Sequence, residues 1–374
     1  MGKWKMVKLE EVCEILDSMR VPVTASDRKS GIYPYYGANG VQGYVSEHIF
    51  DDELVLLAED GGNFDSKTRP IAYRVSGKCW VNNHAHVLKA KPTIDVNYLC
   101  YSIMFYDVSK IISGTTRAKL NQAAMRKMTI PLPPLEAQNQ ITRTLDTAAQ
   151  LLAMRQQQLA ELDNLIKSTF YDMFGDPIAN EKKWEVKTLK EVCNKITDGT
   201  HYSPDNFNVG PCKYITAKNI KKDGFDLSNL TYITEEIHKG IYSRCNPKFG
   251  DVLYIKDGVT TGIAQINTLY EEFSMLSSVA LLKQNREIIS SYYLREVLNN
   301  EIMYVNIRRN MGGAAITRLT LKKIQIIQIP VPPLSLQTQF ASIVTKIEEQ
   351  KALVKRAIDE TQYLFDSLMC EYFE

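Results

Sequence analysis

The sequence predicts an α+β protein built from one plan used twice: two β-rich α/β units in a pseudo-two-fold arrangement, each followed by a long helix. Three observations carry this. Residues 4–13 read WKMVKLEEVC, and 180 positions on residues 184–193 read WEVKTLKEVC, identical at five of ten positions. Residues 130–141 read IPLPPLEAQNQI, and 199 positions on residues 329–340 read IPVPPLSLQTQF, identical at seven of twelve. After each proline-rich block, one apolar seam repeats at heptad spacing to the end of the copy.

The first block opens each unit and the second closes it. Trp4 to Ile130 spans 126 positions and Trp184 to Ile329 spans 145, so the second copy carries 19 more residues between fixed ends. Fixed ends around a variable middle describe a scaffold that carries an exchangeable surface. The middles read as strands, with short apolar runs at 54–58, 79–81, 86–90, 252–256 and 279–283. Turns are marked by GANG at 37–40, EDGGN at 59–63 and KDG at 256–258. Short helices are expected at 96–106 and 290–308. Ile-Pro-Leu-Pro-Pro is expected to halt the strand before it, because proline cannot donate to a ladder.

The first long helix is predicted over 135–174, with Ile141, Leu145, Ala148, Leu152, Leu159, Leu162, Ile166 and Met173 on its seam. The second shows the same phase in Phe340, Val344, Ile347, Val354, Ile358, Phe365, Leu368 and Tyr372. Gly175-Asp176-Pro177 stops the first helix. Polar residues interrupt both seams, Arg155 and Thr169 in the first, Lys351 and Thr361 in the second. Their equivalents in the other copy are apolar: Val354, Leu368, Leu152 and Leu162. Gaps at different places favour pairing of the two helices with each other, since polar seam positions select partner and register. The alternative is two amphipathic helices, each lying on its own unit. At ~1.5 Å per residue each helix is roughly 60 Å long, and an antiparallel pair would hold one β-rich unit at each end.

Composition narrows the function. Hydrophobic content of 44% and charged content of 24% are ordinary for a soluble protein. No apolar run approaches the ~20 residues that span a bilayer, and the first residues, MGKWKMVKLEEV, suggest neither a secretory leader nor myristoylation. Seven scattered cysteines without a Cys-x-x-Cys pair exclude zinc ribbons and fit a reduced, cytoplasmic setting, and Cys13 and Cys193, at equivalent repeat positions, read as small buried hydrophobes. A net charge of +2 is modest for a nucleic-acid binder, so any such role rests on local clusters.

Catalytic motifs are missing. Pro133-Pro134 is flanked by Leu132 and Leu135, and Pro332-Pro333 by Val331 and Leu334. An amino-methyltransferase would need a polar residue before Pro-Pro and an aromatic after it to hold a flipped base. No Gly-x-Gly and no Walker lysine occurs, and Pro204-Asp205 is not followed by a nuclease-type Asp/Glu-x-Lys. His84 and His86, two apart, lack a nearby third ligand and read as hydrogen-bonded residues, so no metal and no cofactor is expected.

Two variable units alternating with two long helices, each led by I-P-[LV]-P-P-L-x-x-Q-x-Q, resemble the specificity subunit of type I restriction–modification systems. The resemblance covers essentially the whole chain. It implies two target recognition domains, at 1–134 and 179–333, separated by an antiparallel coiled coil of spacer helices at 135–178 and 334–374. It also implies a non-catalytic subunit serving defence against foreign DNA. Each domain would read one half of a bipartite, asymmetric site on double-stranded DNA, and the coiled coil would set the gap. The partners implied are two DNA adenine methyltransferase subunits and restriction–translocase subunits, with no membrane. The rival from another class is a two-domain scaffold for protein or polysaccharide.

Base edges are read chiefly by Arg, Lys, Asn and Gln, and phosphates supply affinity. On this chemistry the candidates in the first unit are Tyr35, Tyr36, Asn39, Lys67, Arg69, Asn82, Asn83, His84, Arg117 and Lys119. In the second they are His201, Tyr202, Lys213, Lys218, Asn219, Lys221, Lys222, Lys256, Arg308, Arg309, Asn310 and Arg318. Lys119 and Arg318 are related by the 199-residue offset, which suggests a shared phosphate role.

Overall fold

The computed structural model describes residues 4–373 apart from 25, 67, 115–116 and 310–317. It divides into two units, residues 1–156 with 356–374 and residues 157–355. Each long helix thus contributes residues to both.

The first unit opens with β1 (Lys5–Lys8), the single turn α1 (Leu9–Val12) and β2 (Cys13–Ile15). Then come β3 (Tyr33–Gly37), β4 (Gly40–Val45), β5 (Phe50–Ala58), β6 (Ala72–Val81) and β7 (Ala85–Ala90). Helices α2 (Val96–Met104) and α3 (Gln122–Arg126), strand β8 (Thr129–Leu132) and the start of α4 (Leu135–Phe174) complete it. Six strands form one sheet in the order β2-β7-β5-β6-β3-β4, and β1 pairs with β8.

The second unit follows from the end of α4 with β9 (Glu185–Thr188), α5 (Leu189–Val192) and β10 (Cys193–Asp198). Its middle holds β11 (Cys212–Ile215), the small hairpin β12 (Ile220–Lys221) and β13 (Gly224–Phe225), β14 (Thr231–Ile233) and α6 (Glu235–Arg244). Strands β15 (Val252–Ile255), β16 (Ala264–Ile266), β17 (Phe273–Met275) and β18 (Val279–Gln284) precede α7 (Ser291–Asn299) and α8 (Glu301–Arg309). Helix α9 (Leu321–Gln325), β19 (Gln328–Val331) and α10 (Leu334–Phe373) close the chain. Its main sheet runs β10-β18-β15-β16, the same order as β2-β7-β5-β6. Four strands therefore repeat. In the first unit the β3–β4 hairpin extends that sheet through a parallel pairing of Tyr35 with Trp80. In the second, β14-β11-β17 forms a separate sheet, and this is where the longer middle departs from the first.

The repeated blocks are partners in space. Lys5 to Lys8 pair with Leu132 back to Thr129, and Glu185 to Thr188 with Val331 back to Gln328. Leu9, Val12, Leu189 and Val192 are core residues. Glu11 and Glu191 accept the backbone N–H of Lys8 (3.1 Å) and Thr188 (2.7 Å), each satisfying the N-terminus of its short helix as the glutamate of a capping box does. Burial pushes the Cys13 and Cys193 thiols up to about 12, Cys13 within the core of its unit and Cys193 half-buried against that of the second. Pro131 and Pro330 lie inside β8 and β19 rather than after them, opposite Met6 and Val186. Each ribbon is only two strands wide, so proline's missing donor breaks no second ladder.

The glutamine of the repeated motif fastens each long helix. Gln138 is fully buried; its Oε1 accepts from Asp95 N at 2.8 Å, and its Nε2 donates to the carbonyls of Thr93 (3.1 Å) and Pro133 (2.8 Å). Gln337 repeats the set with Ser290 N, Ile288 and Pro332. Tyr98 and Tyr293 add matching hydroxyl bonds to the Pro131 and Pro330 carbonyls.

Helices α4 and α10 pack together with opposite chain direction. In the second unit Phe170 and Phe174 meet Phe340 while Asp163 meets Lys351. Phe340, Val344, Ile347 and Ile166 are buried there, and Leu162 is partly buried. In the first unit Ile141, Leu145 and Ala148 share a core with Phe365 and Leu368. Val354 is buried, and Leu152, Leu159 and Ile358 are half-buried. The polar gaps do not all face apolar residues. Arg155 donates to the Thr361 hydroxyl and the Ala357 carbonyl, so two gaps satisfy each other. Thr169 instead bonds back to the Leu165 carbonyl. The helix expected at 290–308 is two, because Asn300 leaves helical geometry (ψ 133°) and caps α8 through Ile302 N and Met303 N.

Candidate nucleic-acid interface

In the first unit, four segments meet where β5 ends. Asn82 N bonds to the Tyr36 carbonyl (3.0 Å), and Asn39 Nδ2 to the Gly61 carbonyl (2.9 Å). Lys119 bridges to Asp60 through the backbone. Asp60 Oδ1 lies 2.5 Å from His84 Nδ1 and 3.0 Å from an Arg117 guanidinium nitrogen. Gly61 has φ +63°, a conformation that favours glycine, and a Cβ there would sit 2.9 Å from the Arg117 guanidinium lying across the turn. Asn39, Asn83, His84, Arg117 and Lys119 are thus gathered around the end of β5, while Tyr36, in β3, is half-buried against the Tyr73 ring.

Beneath them lies a buried ion cluster. His86 is fully buried, with Nδ1 2.7 Å from Asp17 and Nε2 donating to the Leu120 carbonyl at 2.8 Å. Asp17 also accepts from Val87 N and Gln122 Nε2. Glu59 lies 2.6 Å from Arg20 and 3.0 Å from Lys119. Burial pushes the Asp17 carboxyl up, but the hydrogen bond and charge of His86, with Gln122 and Val87 N, outweigh it and hold the carboxyl below its usual range. Burial likewise raises Glu59, and Arg20, Lys119 and His86 bring it below. The ligand-type atoms of Asp17, Glu59 and His86 lie within 4.8 Å of one another. Both imidazole nitrogens face oxygens, and Arg20 and Lys119 already neutralise the carboxylates, so these residues suit an internal ion network better than a metal.

The second unit repeats the frame with the charge reversed. Asp257 bridges to Arg318 as Asp60 does to Lys119. Leu319 N bonds to the Lys256 carbonyl (2.8 Å) as Leu120 N does to that of Glu59 (2.7 Å). Lys256, buried, therefore stands where Glu59 stands. Its Nζ lies 3.2 Å from Asp257 and 3.5 Å from Asp198, which also meets His201 at 3.2 Å. Arg318 Nε lies 3.1 Å from Asp257 Oδ1. Arg308 donates to the carbonyls of Val259 and Thr261 (3.2 Å each), holding the turn after Asp257. Lys222 lies over the Tyr304 ring.

Four predicted contacts serve inside the protein instead. Tyr35 is 1% exposed, with its hydroxyl on the Val23 carbonyl and the Arg28 guanidinium over its ring. Asn82 donates to Gln42 and accepts from His84 N. Asn219 closes the turn 216–219 and donates to the Asp226 carbonyl. Lys256 is the centre of the second ion cluster. Lys213, on β11, pairs with Glu271, and Lys221 lies 3.9 Å from Asp226. Arg69, Tyr202, Lys218 and Arg309 are exposed. Lys67 and Asn310 lie outside the described residues. Reasoning from cations and amides passed over Asp60 and Asp257; their signal was the shared Asp-Gly in EDGG and KDGV.

A family profile described as the type I restriction modification DNA specificity domain matches residues 1–164 and again 181–362. The chain belongs to this family. A Haemophilus influenzae protein named for a type I restriction enzyme specificity subunit is 30% identical over 361 residues, covering 92% of this chain and 87% of its own. The MjaVIII specificity subunit of Methanocaldococcus jannaschii is 22% identical, covering 94% and 85%. The crystal structure of the S subunit of a type I system from M. genitalium shares the fold of this specificity subunit, with a TM-score of 0.62 at 15% identity over 100% of this chain and 96% of that one. A second chain, from a study of type I complex assembly and conformational transition, gives 0.56 at 17% identity over 99% and 97%. Among the described residues of the subunit, no helix is long and apolar enough to cross a membrane.

Proposed function

We propose that each unit of this specificity subunit reads one half of a bipartite, asymmetric DNA site. The recognition domains are residues 1–134 and 179–333. The observation that carries this is a repeated four-strand frame holding two different middles, a β3–β4 hairpin in one and a separate three-stranded sheet in the other. Unlike surfaces on like frames suit unlike half-sites. Tyr36, Asn39, Asn83, His84 and Arg117 are the base- and phosphate-contacting candidates of the first domain, and His201, Tyr202, Lys222 and Arg318 those of the second. The seam formed by α4 and α10 sets the unspecified gap. The subunit does no chemistry of its own; it directs two DNA adenine methyltransferase subunits, and restriction–translocase subunits, to the site. Co-expression with the methyltransferase followed by methylome sequencing should return one split motif with a fixed gap. Absent or random methylation would refute the reading.

A further inference from the structure

Both units place a carboxylate among the cations that the DNA reading requires. A carboxylate beside phosphate weakens binding by repulsion, and Asp60 and Asp257 keep 18% and 22% of their side chains in solvent, so the same carboxylate in the same place twice calls for a compensating role. Asp60 and Asp257 each follow the central strand of the main sheet and precede a glycine with positive φ, Gly61 (+63°) and Gly258 (+97°). Each is bridged to the segment that returns over the strand end, at Lys119 and Arg318. Each lies at ion-pair distance from basic side chains that remain partly in solvent. Arg117 and His84 expose 60% and 34% of their side chains while touching Asp60, and Arg318 exposes 57% while touching Asp257. Exposed pairs of this kind contribute little to stability. What they do restrict is the arginine chain, which otherwise loses rotamer freedom on binding.

We propose that Asp60 and Asp257 are equivalent positioning residues, each orienting the basic side chains of its own unit toward the DNA of its own half-site. This rests on the half-site reading above. Phosphate contacts from a fixed arginine set the register in which base-reading groups meet the groove. A free arginine contacts phosphate in several registers, which adds affinity for any sequence and removes discrimination. Loss of the carboxylate therefore acts in two directions. Non-specific DNA binding tightens, because one negative charge has gone. Preference for the cognate half-site falls, because the cation is no longer held.

The test uses the complete complex with its methyltransferase subunits, carrying Asp60→Asn or Asp257→Asn. Binding is measured on cognate DNA and on DNA with either half-site scrambled, and methylomes are sequenced. The expected result is a cognate-to-scrambled ratio lower by about three- to tenfold for the unit carrying the substitution, with the other half-site unchanged. Binding to fully scrambled DNA should be tighter. Arg117→Ala should lower the same ratio as Asp60→Asn, and the double variant should add nothing further. An unchanged ratio, or equal weakening on cognate and scrambled DNA, overturns the proposal. Should Asp60→Asn not fold, Asp257→Asn with Arg318→Ala carries the same comparison. Wild-type complex without any split motif would instead refute the half-site reading.

Discussion

Replacing Gln138 by alanine should unfasten α4 from the first unit. The side chain is fully buried and joins three backbone groups from two segments: Asp95 N, and the carbonyls of Thr93 and Pro133. A buried N–H without a partner costs about 1–3 kcal/mol, and each lost bond to a carbonyl about 0.5–1.5 kcal/mol. The substitution also leaves a void where the amide packed. A loss of about 3–4 kcal/mol is expected, a large share of the ~5–15 kcal/mol that holds a domain together. Asp95 is also the N-cap of α2, accepting from Asn97 N and Tyr98 N, so protection of α2 should fall with that of α4. Gln337→Ala should show the same loss at α7, because Ser290, Ile288 and Pro332 reproduce the three bonds. Native-state hydrogen exchange in low urea separates the two units. Gln138→Glu keeps the acceptor for Asp95 N but sets a carboxylate oxygen against two carbonyls. It should be as damaging as alanine at neutral pH and recover partly in acid, where the carboxyl can donate. A loss below about 1 kcal/mol in either alanine variant would refute this reasoning, as would an effect confined to one copy.

Three further outcomes are expected. The folded carboxyls of Asp17 and Glu59 are held below their usual range, so their contribution to stability is present above about pH 4. It is lost as pH falls through the depressed values; Asp17→Asn should lower first-unit stability at neutral pH and flatten its acid dependence, and an unchanged slope would contradict the cluster's role. Lys256→Met leaves Asp198 and Asp257 facing each other without their buried cation, and should destabilise the second unit by about 3–5 kcal/mol in urea unfolding. One heptad inserted in α4 after Gln156, with a matching heptad in α10 after Lys355, adds about 10 Å. The methylated motif should then keep both half-sites and widen its gap by about three base pairs; an altered half-site would contradict the ruler.

The frame was legible because its information is local or periodic. The seam marked α4 at the residues it occupies, 135–174, and the repeated blocks marked where each unit begins and ends, though not that they pair as β1–β8 and β9–β19. The glutamines of the proline-rich block were visible as repeats, but their three backbone partners lie over 40 positions away in part and leave no local trace. The ion clusters were hidden for the same reason: Asp17, Glu59, His86 and Lys119 come from four separate segments. Asn82 and Asn219 show where residue chemistry alone misleads. An asparagine that reads a base and one that closes a turn offer the same amide, and only burial separates them. Arg155 and Thr361 looked like independent interruptions because heptad position does not say which residue on the facing helix lies opposite.

The reversed charge at Glu59 and Lys256 bears on how such a chain can diversify. Each cluster is neutralised only by its own set of distant residues, so a crossover inside a unit would bring an anion or cation to a site prepared for the opposite sign. A crossover in the proline-rich block or the following helix leaves every cluster whole, because the backbone bonds of Gln138 and Gln337 are alike. On this electrostatic ground a whole unit would transfer intact, while a hybrid within a unit would carry an unpaired buried charge. The seams where this gene can be cut and rejoined are written in its electrostatics as much as in its repeats.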